Sequence, residues 1–306
     1  MVIGEKLPWG FILRLHAPWL ALMALVTAVA WGARELFGVR LHFTPAPFQI
    51  AGVALAIFLG FRNNSSYDRW WEGRKLWGGI VNQSRSLGRQ VMTLLHATGL
   101  ETPEMTALRR EVLYRHIAWL YALKQQLRGQ DPLAELAPLL SKQELESLGK
   151  QKNIAAWLLH RNGQALAEAA RRSWLSDNRL EMLDRTLSEL ISLQGGCERI
   201  KSTPIPTAYR VFTHLFTRVY IAALPLGLME TVEFAPLLVL LGLGLAFLVL
   251  ETLGRLLEDP FTLGPNALAL GAICRTIEIN LRQQLEETEL PPAATPQVNG
   301  GVQVLL

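Results

Sequence analysis

Four long stretches of the chain carry almost no charge, and this feature restricts the possible folds more than any other. Residues 17–33, 43–61 and 234–250 contain no Asp, Glu, Lys or Arg, while residues 211–229 contain only His214 and Arg218. Because a helix rises about 1.5 Å per residue, stretches of this length approach the roughly 30 Å hydrocarbon core of a bilayer. Buried helices of a large soluble protein are the alternative, but several such stretches in one chain favour four transmembrane helices.

The composition agrees with a membrane protein and excludes several other classes. Only 18% of the residues are charged, against about 25% in an ordinary soluble domain. The formal net charge of +4 is not gathered into a basic block, so no nucleic-acid partner is expected. With two cysteines, Cys197 and Cys274, the chain cannot form a disulfide-rich scaffold or a four-thiolate zinc site.

The charges beside the four stretches predict the orientation of the chain. Residues 62–75, directly after the second stretch, contain four Lys or Arg. The connection between the third and fourth stretches contains Glu230 and Glu233 but no basic residue, although the first connection (residues 34–42) holds two Arg. Since basic residues are retained on the cytoplasmic side, we expect both termini and residues 63–201 in the cytoplasm.

Outside the four stretches the apolar residues show helical periodicity. Gly129 with Pro132 and Pro138 predicts one break between helices, and the pair Gly195-Gly196 predicts another. No segment alternates long enough to predict a sheet. Three apolar sets are spaced as in amphipathic helices: Leu113, Ile117, Leu120, Leu123 and Leu127; Leu180, Leu183, Leu187, Leu190 and Ile191; Leu270, Ile273, Ile277, Leu281 and Leu285.

These observations predict an all-α membrane protein in which four transmembrane helices are continuous with a cytoplasmic helical bundle. Five parts are expected: residues 1–62 with the first two transmembrane helices, 63–201 as a cytoplasmic helical region, 202–250 with the last two transmembrane helices, 251–286 as C-terminal cytoplasmic helices, and 287–306 as a flexible tail. The tail is expected to be mobile because Pro and Gly are frequent in it.

The sequence does not indicate a catalytic centre. Its six histidines never occur three or four residues apart, so no helical metal site is expected. Nucleotide-binding and nucleophile-elbow motifs do not occur in it. Adjacent acids such as Glu258-Asp259 point in different directions on a helix and make poor acid–base partners. We therefore expect no enzymatic activity, no cofactor and no bound metal.

Two features of the chain have both a structural and a functional interpretation. Val53, Ile57 and Phe61, called the apolar stripe below, recur every four residues near one helix face. Such a stripe faces lipid or another helix, or it lines a dewetting constriction when several subunits surround an axis. In residues 203–206 (TPIP), two prolines prevent a helix through Ile205. This segment is a simple helix start or an extended hinge that places Ile205 in an axial passage.

His214 and Arg218 are four residues apart, so they share a face of the third predicted transmembrane helix. Polar residues at such a position usually face the interior of a helix bundle or water. They mark an ion path, or Arg218 pairs within the bundle or extends to the interface.

Several blocks of the sequence closely resemble the bacterial bestrophins. They occur in the order found in that family, and the resemblance extends from about residue 43 to residue 281. The blocks are FRNNSSYDRWWEGRKLWG (61–78), GCERI (196–200), TPIPTAY (203–209), EDPF (258–261) and ICRTIEIN (273–280).

The resemblance implies a pentameric ion channel of the bacterial inner membrane with a single central pore. The implied partners are other copies of the chain, membrane lipid and small monovalent ions. By the matching motifs, the apolar stripe (Val53, Ile57 and Phe61) forms a hydrophobic neck, and Ile205 forms a lower constriction. Animal members hold calcium with an acidic run after the corresponding Pro-Phe turn. Residues 262–267 of this chain have no carboxylate, so calcium, which needs several oxygen ligands, is not expected.

The charges near the two mouths of such a pore favour ions of opposite sign. Glu230 and Glu233 would concentrate cations outside, whereas the basic residues of the cytoplasmic region would favour anions if they faced the pore. Animal relatives pass chloride and bacterial relatives resemble cation channels, so we expect monovalent cations such as sodium ahead of chloride. The alternatives are a non-conducting membrane scaffold whose cytoplasmic bundle binds a partner, and a secondary transporter.

Overall fold

The computed structural model describes residues 9–38, 43–96, 101–228, 236–264, 266–299 and 302–304. Within these ranges the chain is mainly helical, which confirms the predicted all-α class. The elements are α1 (Trp9–Phe37), α2 (Ala46–Leu94), α3 (Pro103–Arg128), α4 (Leu133–Leu136), α5 (Lys142–Leu148), α6 (Ile154–Arg171), α7 (Asp177–Ser202), α8 (Thr207–Leu228), α9 (Pro236–Leu257), α10 (Leu270–Gln284), β1 (Gln297–Asn299) and β2 (Val302–Val304).

Four helices are long and apolar enough to cross a membrane: α1, α2, α8 and α9. They coincide with the four uncharged stretches, so the predicted transmembrane helices are confirmed. Helix α2 has 49 residues, or about 73 Å at 1.5 Å per residue. Its one proline, Pro47, lies in the first turn, where no backbone N–H is needed. The helix therefore continues from the apolar part of the molecule into the bundle without a break.

Helix α2 connects two separate hydrophobic cores. The bundle core contains Trp77 of α2 and Trp119 of α3, both fully buried, and is built from α3, α6, α7 and α10 around the second half of α2. Between the two cores, the buried residues of α2 include Arg62 and Ser66, so a polar layer divides them. The core among the apolar helices consists of Met23, Leu55, Leu59, Ile221, Leu224, Leu240, Phe247 and Leu248.

The predicted amphipathic sets supply much of the bundle core. All five members of the α3 set are buried, whereas the set on α7 contains one error: Leu190 is buried but Ile191 is 54% exposed. Successive residues on a helix point about 100° apart. Ile191 therefore leaves the face that its neighbour occupies.

One predicted helix break is confirmed and the other is wrong. Helix α3 ends at Arg128, and Gly129 follows in the left-handed conformation with φ 68°, which favours glycine. At Gly195-Gly196, by contrast, α7 continues without interruption. A Cβ atom on Gly196 would lie 2.8 Å from Leu76 Cδ2 of α2. This glycine therefore permits the close approach of two helices.

The C-terminal residues add a β-ribbon that the periodicity analysis does not predict. Strands β1 and β2 are antiparallel, with Gln297 paired to Val304 and Asn299 paired to Val302. In the sequence, Gly300 and Gly301 separate the two strands, and a Gly-Gly pair is a common hairpin signal. The predicted boundaries at 62/63 and 250/251 fall inside α2 and α9. They stay a proposal about where the membrane ends, because the helices do not break there.

Candidate pore surface

The membrane part of α2 has one buried and one exposed face. Leu55 and Leu59 are buried among the apolar helices. The apolar stripe lies on the exposed face: Val53 is 61%, Ile57 56% and Phe61 64% exposed in the protomer. Large apolar side chains at this depth contact lipid, another protomer or a dewetted passage. The described residues of one protomer leave more than half of each side chain of the stripe uncovered.

A cluster of four charged residues and one histidine lies directly behind the lower end of the apolar stripe. Arg62 is fully buried, and its guanidinium lies 3.7 Å from the Glu251 carboxylate and 3.5 Å from that of Glu258. Glu251 also lies 3.5 Å from His214 and 3.9 Å from Arg218. We call these five residues the charge cluster. Buried charges are costly unless they are paired, and the cluster brings Arg62 of α2 and Arg218 of α8 to the same carboxylate on α9, although no Arg62 guanidinium nitrogen has a hydrogen-bond partner among the described residues.

The contacts of Arg218 decide between the two interpretations of the polar pair on α8. Its guanidinium lies 4.4 Å from the centroid of the Trp19 ring on α1, in addition to its proximity to Glu251. Arg218 therefore pairs inside the helix bundle, as the structural interpretation predicts. His214 faces the same carboxylate.

Ile205 lies in the short connection between α7 and α8, where the structure confirms the interruption predicted from two prolines. Arg69 of α2 holds this connection by donating hydrogen bonds to the carbonyl oxygens of Thr203 (2.6 Å), Glu258 (2.7 Å) and Ile200. The side chain of Ile205 is half-buried. The connection is thus fixed to α2 about two turns below the apolar stripe.

Two predicted site residues and two acids that the sequence does not favour as a catalytic pair remain. Glu230 and Glu233 lie outside the described residues. Glu258 and Asp259 separate as expected: the first joins the charge cluster, and Asp259 accepts a 2.6 Å hydrogen bond from Lys201. In the described ranges, no group of three or more His, Cys, Asp or Glu could hold a metal ion.

The sequence gives no sign of a positional role for Arg62 or Arg69 beyond their charge. Their partners lie on α9 or just after it and after α7, far along the chain, so no local spacing connects them. The only available signal is the coincidence of a basic residue after the second span and an acid, Glu251, after the fourth. Charges that end two neighbouring spans on the same side of a membrane can meet.

Comparison with known proteins identifies the family. The voltage-dependent anion channel-forming protein YneE of Escherichia coli O157:H7 is 38% identical over 256 residues, covering 84% of this chain and 82% of that protein. The voltage-dependent anion channel-forming protein of Ralstonia nicotianae is 36% identical, covering 95% and 96%. A crystal structure of a bacterial bestrophin homologue from Klebsiella pneumoniae matches with a TM-score of 0.81 and 32% identity, covering 91% and 99%. The bacterial and fungal bestrophin family model matches residues 10–283. The chain belongs to the bacterial and fungal bestrophin family.

Proposed function

We propose that five copies of this chain assemble into an ion channel with one central pore. The observation that carries the proposal is the apolar stripe, which is exposed along the membrane part of α2 in a member of the bestrophin family. In the assembly, five stripes surround the axis as the neck, and Ile205 narrows the passage again towards the bundle. The channel names of the relatives support conduction and speak against an enzyme.

The neck works without making or breaking bonds. Rings of Val53, Ile57 and Phe61 expel water when they are narrow and admit hydrated ions when they widen. The charge cluster lies behind the lowest ring and connects α2 to α8 and α9. A change in neck width therefore has to move these helices together or rearrange the ion pairs between them.

The conducted ions are small and monovalent, and we propose sodium ahead of chloride. Glu230 and Glu233 would lie at the outer mouth and concentrate cations there. The names of the relatives point to anions instead, so the sign of the ion is the sharpest question about this channel.

The proposed location is the bacterial inner membrane, with both termini and the bundle in the cytoplasm. The basic residues that follow the second span support this orientation, and the named relatives are bacterial.

Recordings from purified protein test the proposal. We expect native mass analysis in lipid nanodiscs to give five times the protomer mass. Planar bilayers under a NaCl gradient should show single-channel currents that reverse towards the sodium equilibrium potential.

Ile205→Ala should raise the single-channel current by widening the lower constriction; an unchanged current would remove Ile205 from the pore. A monomer, or silence in every salt, would refute the channel, and a silent pentamer would favour the scaffold.

A further inference from the structure

The exposed face of α2 continues beyond the apolar stripe and becomes polar. At 100° per residue, Asn64 and Asp68 lie about 20° and 60° around the helix from Val53, within the arc of about 80° that the stripe spans. Both residues are exposed. Asp68 is the first charged residue on this face after Phe61.

Asp68 differs from its charged neighbours Arg69 and Glu72 because its side chain is not held by a hydrogen bond or an ion pair within the described residues. Arg69 donates to three backbone carbonyls at the end of α9, in α7 and in the α7–α8 connection, and Glu72 forms a 2.7 Å ion pair with Arg199. Within the described part of the chain, no hydrogen bond or ion pair engages the Asp68 carboxylate. Asp68 therefore has no ion-pair partner among the described residues, although the Arg69 guanidinium, which donates only to carbonyl oxygens, lines the same cavity.

We infer that five copies of Asp68 form an acidic ring just inside the neck, and that this ring draws cations to the pore and disfavours anions. The inference rests on the proposed assembly around the α2 face. It adds a residue that determines ion selectivity and that lies apart from the outer mouth.

Asp68 lies closer to the neck than the next charged residue on the same face, so it has the larger electrostatic effect on an ion there. Asp68 lies about 10 Å below Phe61 along the helix, whereas Lys75, at about 40° on the same face, lies about 21 Å below it. With a Debye length of about 8 Å at physiological salt, one Asp68 charge outweighs one Lys75 charge at the neck roughly eightfold. An ion that leaves the neck also reaches the Asp68 ring first.

Reversal potentials of charge variants test the ring. Asp68→Asn should lower the sodium-to-chloride permeability ratio on the order of threefold to tenfold at low salt, and Asp68→Glu should restore it. The difference should shrink at about 1 M salt, where the Debye length is about 3 Å. The matched control is Asp184→Asn on α7, which is also an exposed position and should leave the ratio unchanged.

Thiol chemistry provides a second test in one protein. The native Cys197 and Cys274 are fully buried, and burial raises the pKa of each thiol to about 12, so both resist modification. In Asp68→Cys, a negatively charged thiol reagent should restore cation preference, and a positively charged one should reverse it.

The outcomes separate this inference from the proposed channel. Currents whose permeability ratio is the same in the parent, in Asp68→Asn and in Asp68→Cys after either reagent would overturn the ring and leave the channel intact. Absence of current in the parent protein would overturn the channel itself, and the ring with it.

Discussion

His116 occupies a fully buried position on α3, where its ring stacks on Trp119 with centroids 5.0 Å apart. Its Nε2 atom lies 2.9 Å from the Ser84 hydroxyl oxygen on α2. Burial lowers the pKa of His116 to about 3. The imidazole is therefore neutral in the folded bundle at neutral pH, although an exposed histidine titrates near pH 6.5.

This depressed pKa predicts a loss of stability in mild acid. Above pH 6.5 neither state binds the proton, so His116 contributes no pH dependence. As the pH falls from about 6.5 towards 3, the unfolded chain takes up a proton that the folded chain rejects, and the free energy of unfolding falls. Between pH 7 and pH 5 the loss is about 2 kcal/mol. Denaturant unfolding in detergent micelles across this range measures it.

The variant His116→Gln removes the titrating group, so its free energy of unfolding should change less between pH 7 and pH 5 than that of the parent. His160, which is exposed on α6, provides the matched control. His160→Gln should keep the pH dependence of the parent. Parallel curves for the parent and His116→Gln would show that another group causes the acid sensitivity.

The sequence reveals some of these residues better than others. Val53 and Phe61 can be found because the helical period alone places them near one side of α2. Arg62 follows the same span, and its sequence position resembles that of an ordinary basic residue at a membrane surface. Its burial depends on Glu251 and Glu258, which only the packing of α9 against α2 brings near. No propensity or period contains that information.

At the scale of helices, α2 and α7 interlock through small residues. A Cβ atom on Gly79 would lie 2.8 Å from Leu193 Cδ2, just as one on Gly196 would lie 2.8 Å from Leu76 Cδ2. Each helix thus provides a gap for a leucine of the other. A glycine pair indicates a break when only local preference is considered, but here one member of the pair serves packing between helices.

Alanine at the two adjacent glycines should therefore have different effects. Among the described residues, no neighbouring atom lies within 4 Å of the position that a Cβ atom on Gly195 would take. Gly195→Ala should therefore raise the free energy of unfolding by up to about 1 kcal/mol through helix propensity. Gly196→Ala gains the same propensity but displaces Leu76, and we expect no net gain or a loss. Thermal unfolding midpoints of the two variants measure the difference. Equal stabilisation would contradict the tight α2–α7 contact.

At the scale of the whole molecule, the sequence predicts the helical class and the four spans but not how the two cores are joined. Uncharged stretches of membrane length have few alternative structures, so the spans are strongly determined. The sequence does not determine that α2 continues through residues 62 and 63. Arg62 and Asn63 end the apolar stretch, and this change in polarity suggests a boundary there. The helix continues because Arg62 is paired and Asn63 donates to the Leu250 carbonyl at 3.0 Å.

Truncation of the lowest neck ring should change gating of the whole assembly. Phe61→Ala removes a large apolar side chain from each of five protomers, so the neck should wet more easily and the open probability should rise several-fold. Single-channel recording measures this. Phe37→Ala, at an exposed phenylalanine near the end of α1, should leave the open probability unchanged. Unaltered gating in Phe61→Ala would assign the stripe to packing or lipid contact.

The uninterrupted course of α2 has a mechanical consequence. A stiff rod of about 73 Å that tilts by about 5° displaces one end by about 6 Å relative to the other. If Arg62 is the pivot, the membrane end of the helix, about 24 Å away, moves by about 2 Å, and the bundle end, about 48 Å away, moves by about 4 Å in the opposite direction. A displacement of the bundle end would therefore reach the membrane end at about half its size and in the opposite direction, because the ion pairs around Arg62 hold the helix between the two ends.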